Sequence, residues 1–195
     1  MESNKRGTLV AAALLVAVLV CGGLGYRMLA SRVAPEPAPI EQTETTGDAS
    51  AGETPLLADH DVTVYTVDGE AVTLTQIADG RPLVINFWAT WCPYCVEELP
   101  DFQEIVADYS GRVSFCFLDV TDGSRETVDL AATFLEDNGF SDLPAYYDTD
   151  LAASIEYGAS SLPTTVVVNG DGEIIAISAG MIDPVLLRGA LDQMV

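Results

Sequence analysis

The pattern of apolar and polar residues divides the chain into three parts. An almost uninterrupted apolar stretch, residues 9–24, dominates the first 32 residues. Residues 33–58 are rich in Pro, Glu, Thr, Gly and Ser and show no apolar periodicity. After residue 58, short apolar runs alternate with segments of helical periodicity. This pattern predicts an N-terminal anchor or signal segment (1–32), a flexible tether (33–58) and one folded domain (59–195).

The N-terminal segment has the charge pattern of an exported or membrane-anchored protein. Lys5 and Arg6 precede the apolar stretch, and Arg27 follows it. A charged start and an apolar run of this length are typical of an export signal or of a short membrane-spanning anchor. We expect an uncleaved, single-pass anchor in the cytoplasmic membrane, with the N-terminus inside and the folded domain extracytoplasmic. The alternative is secretion after cleavage near the Gly-Leu-Gly of residues 23–25.

Alternating and continuous apolar runs in the folded domain predict its β-strands. Two of them, separated by Asp68-Gly69, are expected to form an N-terminal hairpin, and two more flank the turn Asn169-Gly-Asp-Gly172. The predicted strands are residues 62–67, 71–74, 83–88, 113–120, a short strand at Tyr146 and Tyr147, 164–168 and 174–177.

Apolar residues at helical spacing predict four helices. The first runs from Val96 to Tyr109, after the Cys-Pro-Tyr-Cys turn. Ser124 is the predicted N-cap of a second helix that ends at Gly139. A short helix is expected at residues 152–157, and Asp183-Pro184 opens the last one. Alternating strands and helices, closed by a hairpin and a helix, predict an α/β domain.

The charge of the chain is strongly negative. There are 30 Asp and Glu residues against 8 Lys and Arg, which gives a formal net charge of −22. Such a surface repels phosphate backbones, so we expect no nucleic-acid partner. The excess of acid is interpreted first as a source of solubility or salt tolerance, and second as a preference for basic partners.

Of the four cysteines, only Cys92 and Cys95 are close in sequence. Two cysteines with two residues between them form a redox pair or half of a metal site. The single histidine, His60, leaves no His/Cys ligand set for zinc, and Val96 after Cys95 excludes a covalent haem site. We therefore expect no metal and no cofactor beyond a redox-active Cys92–Cys95 disulfide.

The position of the pair at the junction of a strand and a helix favours redox chemistry. Only the thiolate is nucleophilic, and the free N–H groups and dipole of a helix N-terminus stabilise it. Cys92, at the helix start, is expected to be exposed and to attack a substrate disulfide, and Cys95 to resolve the mixed disulfide. Pro93 suits the first helical position. The alternative is a structural disulfide or a chance pair.

These residues also resemble a known family. Residues 86–100, Asn-Phe-Trp-Ala-Thr-Trp-Cys-Pro-Tyr-Cys-Val-Glu-Glu-Leu-Pro, are similar to the active-site segment of the thioredoxin superfamily, in particular its TlpA/ResA-like branch of membrane-anchored, extracytoplasmic thiol–disulfide oxidoreductases. Ser-Leu-Pro-Thr-Thr at 161–165 resembles the cis-proline loop of that branch. The resemblance covers residues 59–195. It implies a thioredoxin-like fold: a central mixed β-sheet flanked by helices, with an N-terminal β-hairpin and an inserted helix/strand element.

The resemblance implies a substrate-binding surface around the redox pair. Pro163 matches the cis-proline that faces the two cysteines, and the backbone of Leu162 is expected to pair with an extended substrate. Trp91, Pro93 and Tyr94 are the remaining predicted substrate-binding residues. An ordinary trans proline that opens a strand is the alternative interpretation of Pro163.

Glu98 matches an acidic residue that ResA-like proteins place near the active site. Asn86 stands where thioredoxin has a buried aspartate, so another acid is needed to exchange protons with Cys95. We expect Glu98 to be partly buried, with a raised pKa, while Glu97 faces water. The alternative is that Glu98 is a solvated residue of the helix surface.

The function implied by the resemblance is the reduction of disulfides in exported proteins. In that branch the implied substrates include apocytochrome c, and a membrane electron donor is expected to restore the reduced enzyme. Pro93-Tyr94 departs from this branch and is typical of glutaredoxins, whose potentials are about −200 to −230 mV against about −270 mV for thioredoxin. The alternatives are a disulfide-forming oxidant, a thiol peroxidase of the peroxiredoxin type and a non-enzymatic scaffold.

Overall fold

The computed structural model describes residues 54–195. This part of the chain holds seven β-strands and five α-helices, preceded by a 3₁₀ turn, Leu57–His60. The strands are β1 Thr63–Tyr65, β2 Ala71–Thr73, β3 Leu83–Trp88, β4 Ser114–Asp119, β5 Ala145–Tyr147, β6 Thr164–Val168 and β7 Ile174–Ala179. The helices are α1 Leu74–Ala78, α2 Pro93–Asp108, α3 Val128–Asp137, α4 Ala152–Glu156 and α5 Pro184–Leu191.

The strands form one mixed sheet in the order β2-β1-β5-β4-β3-β6-β7. β3, β4 and β5 are parallel to one another, and the remaining neighbours are antiparallel. The predicted mixed sheet and both predicted hairpins, β1–β2 and β6–β7, are therefore confirmed. β3 is an interior strand of the sheet and pairs with β4 on one side and with β6 on the other.

Alternate residues of β3 serve two separate cores, because successive side chains of a strand point to opposite faces. Val84 and Trp88 join a cluster with the buried faces of α2, α3 and α5. Ile85 and Phe87 join a second cluster with α1 and α4. All six residues of β3 are buried, and Asn86 is the polar one among them. By alternation, Asn86 lies on the α2 side of the sheet.

Two helix starts differ from the prediction. Ser124 is not the N-cap of the second helix: Thr127 is, and its hydroxyl oxygen accepts the Leu130 N–H. The Ser124 N–H donates instead to the carboxylate of Asp122, which holds this part of the chain in a turn. The second difference is α1, which was not predicted, because Thr73 caps a helix where the pattern predicted continuing strand.

The described residues begin inside the predicted tether. Leu57 is buried at 2% exposure, and the carbonyl of Pro55 accepts the Ile174 N–H at 2.8 Å. The predicted anchor or signal segment, residues 1–32, and most of the predicted tether lie outside the described residues. Between residues 54 and 195, no helix combines the length and the apolar character needed to cross a membrane.

Candidate active site

The redox pair lies where β3 leads into α2. Cys92 is the N-cap of α2, Pro93 occupies the first turn, and the Cys95 N–H donates to the Cys92 Sγ at 3.2 Å. Cys92 and Cys95 form a disulfide, with a Cα–Cα distance of 5.3 Å. The predicted position of the pair, at the start of a helix that continues past Pro100, is confirmed.

The expected exposure of Cys92 is wrong for this disulfide form. Cys92 is only 3% exposed and Cys95 is fully buried, because both pack into the apolar cluster between the sheet and α2. The side chains next to them are the accessible ones: Trp91 is 40% exposed and Tyr94 61%, and Pro93 is also exposed. A molecule that approaches the disulfide therefore contacts the exposed side chains of Trp91, Pro93 and Tyr94, which we name the aromatic rim, before it contacts a sulfur atom.

The second predicted motif lies at the same end of the sheet. The Leu162–Pro163 peptide bond is cis, as predicted. Because Phe87 pairs with Thr164 in the antiparallel register of β3 and β6, Pro163 lies beside Trp88 at the carboxyl end of β3. Leu162 packs against the cluster that contains both cysteines. The sheet register thus brings together two motifs that are distant in sequence.

Glu98 is buried one turn beyond Cys95, at 2% exposure, whereas Glu97 is exposed. Its two carboxylate oxygens accept hydrogen bonds from Asn86 Nδ2 at 2.8 Å and from the Ile182 N–H at 3.3 Å. Burial raises the pKa of Glu98 to about 7, although these two hydrogen bonds oppose the rise. The expected geometry of Glu98 and Glu97 is confirmed, and its role in proton transfer stays a prediction.

Asn86 links Glu98 to the sheet. Its Nδ2 also donates to the Thr165 hydroxyl at 3.2 Å, and its buried Oδ1 has no hydrogen-bond partner. A carboxylate at residue 86 would repel the Glu98 carboxylate, whereas an amide donates to it. An amide at residue 86, in place of an aspartate, is therefore compatible with a buried carboxyl on α2, that of Glu98.

A second acidic group near the redox turn was not predicted. Asp119, at the end of β4, and Glu126 are both fully buried. One oxygen of Glu126 accepts two hydrogen bonds from Thr90, from its N–H at 3.2 Å and from its hydroxyl at 2.8 Å. Burial raises the pKa of Glu126, and burial together with the nearby Glu126 and Asp122 charges raises the pKa of Asp119 to about 8.

The sequence signals for these two acids are weak. Asp119 ends a predicted buried strand, which hints at burial, but Glu126 lies in a polar segment with nothing to mark it. Among residues 54–195, no three His, Cys, Asp or Glu side chains are grouped so that they could hold a metal ion. This end of the sheet thus combines the two sulfurs with the buried carboxyls of Glu98, Asp119 and Glu126.

Comparison with known proteins places the chain in a family. The model of the AhpC/TSA family matches residues 55–177, well over half of the chain. The chain belongs to the AhpC/TSA family. The matched residues include the redox turn, the cis-proline and all of the sheet except the last two residues of β7.

Curated relatives of this AhpC/TSA member include thiol–disulfide oxidoreductases. It is 28% identical over 114 residues to the thiol–disulfide oxidoreductase ResA of Halalkalibacterium halodurans, a match that covers 58% of this chain and 62% of that protein. It is 30% identical over 112 residues to the thiol:disulfide interchange protein DsbE of Allochromatium vinosum, covering 57% and 59%. These matches span less than two thirds of the relatives' length. They confirm the predicted resemblance to ResA-like proteins.

Solved structures confirm the thioredoxin-like fold. The exposed lipoprotein thioredoxin Etrx1 of Streptococcus pneumoniae superposes with a TM-score of 0.59 at 22% identity, covering 68% of this chain and 98% of that one. StoA of Bacillus subtilis superposes with a TM-score of 0.56 at 24% identity, covering 66% and 94%. At these identities the likeness establishes the fold alone.

Proposed function

We propose that this protein is a thiol–disulfide oxidoreductase that reduces disulfides of exported proteins through Cys92 and Cys95. The observation that carries the proposal is the Cys92–Cys95 disulfide at the first turn of α2, with the buried carboxyl of Glu98 one turn further along. The relatives named as thiol–disulfide oxidoreductases support the same chemistry.

The first step is an attack by Cys92. In the reduced protein, its thiolate attacks one sulfur of a substrate disulfide, the substrate S–S bond breaks, and the leaving thiolate takes up a proton. A mixed disulfide then joins Cys92 to the substrate. The Cys95 N–H, which contacts the Cys92 Sγ in the present structure, is placed to stabilise the attacking thiolate at the start of α2.

The second step is resolution by Cys95. Its thiol loses a proton, and the thiolate attacks the Cys92 Sγ, so the mixed disulfide breaks and the second substrate sulfur leaves and is protonated. Two electrons have then passed to the substrate, and the protein holds the Cys92–Cys95 disulfide seen here. Glu98, whose pKa is raised to about 7, accepts the Cys95 proton at neutral pH in this proposal.

The proposed substrate surface is the aromatic rim and the cis-proline loop. Trp91, Pro93 and Tyr94 offer exposed apolar area, and the backbone of Leu162, before Pro163, pairs with an extended substrate segment. Backbone pairing admits many sequences, so this surface suits a reductase that acts on several unfolded or extended polypeptides.

The proposed setting is the outer side of the cytoplasmic membrane, with residues 1–32 as anchor and residues 33–53 as tether, since Pro55 and Leu57 already contact the folded domain. The substrates would include apocytochrome c, and a membrane electron donor would re-reduce the Cys92–Cys95 disulfide. Support comes from the ResA-like resemblance and from Etrx1, which is described as an exposed lipoprotein thioredoxin.

Trapping tests the proposal. In Cys95→Ala, the mixed disulfide on Cys92 is not resolved, so exported proteins with cysteine pairs are expected to accumulate as adducts that a reductant releases. The double variant Cys92→Ala/Cys95→Ala is the matched control and should trap none. Equal yields from both variants would contradict the assignment of Cys92 as nucleophile.

Equilibration in thiol buffers tests the direction of electron flow. A reductant is expected to titrate nearer to about −270 mV, the value for thioredoxin, than to about −120 mV, the value for the oxidant DsbA. A potential close to that of DsbA would indicate a disulfide-forming oxidant instead.

A further inference from the structure

The segment between β4 and α3, residues 122–126, forms a loop that its own side chains define; we name it the β4–α3 loop. Asp122 Oδ1 accepts the N–H groups of Ser124 and Arg125 at 2.7 Å each and of Glu126 at 3.0 Å. The Gly123 N–H donates to the Glu126 carbonyl at 2.9 Å, with a positive φ of 71° that glycine adopts at no steric cost. These four hydrogen bonds define the path of the loop.

The end of the β4–α3 loop is fastened to the redox turn. Glu126 is fully buried and accepts both hydrogen bonds of Thr90, two residues before Cys92. Arg125 precedes Glu126, so its backbone position relative to Cys92 is set by the same contacts. The last residue of the β4–α3 loop is therefore part of the site.

The side chain of Arg125 lies on the redox turn from the solvent side. Its guanidinium carbon is 3.8 Å from the centre of the Trp91 ring, and both residues are exposed. Stacking on an aromatic ring orients a guanidinium without using its N–H donors. Within residues 54–195, the Arg125 side chain has no hydrogen bond or ion pair, whereas the other three arginines each contact an oxygen: Arg81 on Asp79, Arg112 on the Asp108 carbonyl and Arg188 on Asp108.

We propose that Arg125 is a specificity-determining residue that binds a carboxylate of the substrate polypeptide, close in sequence to the cysteine that reacts with Cys92. A guanidinium presents a planar set of donors that fits a carboxylate with two parallel hydrogen bonds. Stacking on Trp91 has already restricted this side chain, which lowers the entropy lost when the substrate binds. The inference rests on the proposed thiol–disulfide exchange.

Because the protein is strongly acidic, the preference that we expect is for an acidic residue at one position of the substrate. With 30 acidic residues against 8 basic ones, the chain repels an acidic polypeptide over most of its surface. A carboxylate is favoured only where it reaches the Arg125 guanidinium. The expected selectivity is therefore for a single acidic residue at a defined distance from the reacting cysteine, and not for acidic substrates in general.

A set of peptide disulfides of equal charge tests this inference with the full-length protein, which a small dithiol reductant returns to the reduced form after each turnover, with the uncatalysed reduction subtracted. Each peptide carries one cysteine and one Glu, and the Glu is moved through the positions on either side of the cysteine, so that long-range repulsion is the same for all peptides. We expect one position, or two adjacent ones, to lower KM by about three- to tenfold, with kcat within about twofold. Added salt should reduce this difference.

Variants of Arg125 decide the assignment. Arg125→Met keeps the apolar stem without donors and should make all Glu positions equivalent, while kcat stays close to that of the unaltered protein. Arg125→Lys keeps the charge but loses the planar donor set, so it should retain only part of the preference. Arg112→Met is the matched control, since Arg112 also stacks on a ring, that of Tyr109 at 4.8 Å, but beyond the opposite end of α2.

The outcomes separate the two proposals. Exchange with all peptides at equal KM, or a positional preference that survives in Arg125→Met, would overturn the role of Arg125 and leave the proposed function standing. If the unaltered protein exchanged with none of the peptides, the proposed function would fail and the role of Arg125 with it.

Discussion

Replacing Glu98 with Gln removes a carboxyl whose proton the folded protein retains up to about pH 7. The pKa of this group rises from an ordinary 4.5 to about 7, mainly because the side chain is buried. A shift of this size corresponds to about 3 kcal/mol of free energy. Since the folded pKa is the higher one, the stabilising contribution is complete below about pH 4.5 and is lost as pH rises through about 7.

The measurement is urea unfolding of the disulfide form at a series of pH values. We expect the unfolding free energy of the unaltered protein, relative to that of Glu98→Gln, to fall by about 3 kcal/mol between pH 4 and pH 8. Taking the difference between the two proteins cancels the contribution of other buried acids, such as Asp119. Glu97→Gln, one residue away and exposed, should show no comparable trend.

The same variant tests the proton transfer to Cys95. If Glu98 accepts that proton, the rate of mixed-disulfide resolution in the unaltered protein should increase with pH around an apparent pKa near 7, and Glu98→Gln should lack this step. Stability profiles and rate profiles that run parallel in the two proteins would refute the reasoning about burial and the catalytic role together.

Substitutions at two further positions, Thr90 and Asp119, probe the second acidic group. Thr90→Val removes the hydroxyl that donates to the Glu126 carboxylate, and we expect chemical denaturation to show a loss of about 1–3 kcal/mol in the free energy of unfolding. Thr90→Ser keeps the hydroxyl and should unfold with nearly the same free energy as the unaltered protein. Equal losses from both variants would show that the methyl group of Thr90, and not its hydroxyl, stabilises the fold. The pKa of Asp119 is raised to about 8, so its contribution to the stability of the fold is lost as pH rises from about 4 to 8. Asp119→Asn should therefore make the free energy of unfolding less dependent on pH in that range. An unchanged slope in pH-dependent denaturation would contradict the buried, protonated state of Asp119.

The elements that the sequence predicts correctly are those with a strong local signal. β3 is a continuous apolar run of the length of a strand, and the two hairpins have alternating residues around glycine-containing turns. The redox turn and the cis-proline loop are compact motifs whose side chains are close in sequence. Each of these features is specified by one continuous stretch of the chain, so a single sequence suffices to recognise it.

The features that were missed depend on contacts between distant residues. Ser124 and Thr127 are both good N-caps, and the choice between them is made by Asp122, which binds the N–H of Ser124. The burial of Glu126 depends on Thr90, which lies 36 residues earlier in the chain. The burial of Cys92 depends on packing in the disulfide form. None of these has a local pattern that distinguishes it from a solvated residue.

The interior position of β3 in the sheet also bears on which parts of the molecule fluctuate. A strand paired on both sides and covered on both faces opens only when most of the domain opens, whereas surface loops open at little cost in free energy. The two cysteines follow directly from the end of this strand. We therefore expect thermal fluctuation near the redox turn to come from the exposed side chains of Trp91, Pro93 and Tyr94, while β3 gives the two cysteines a rigid base.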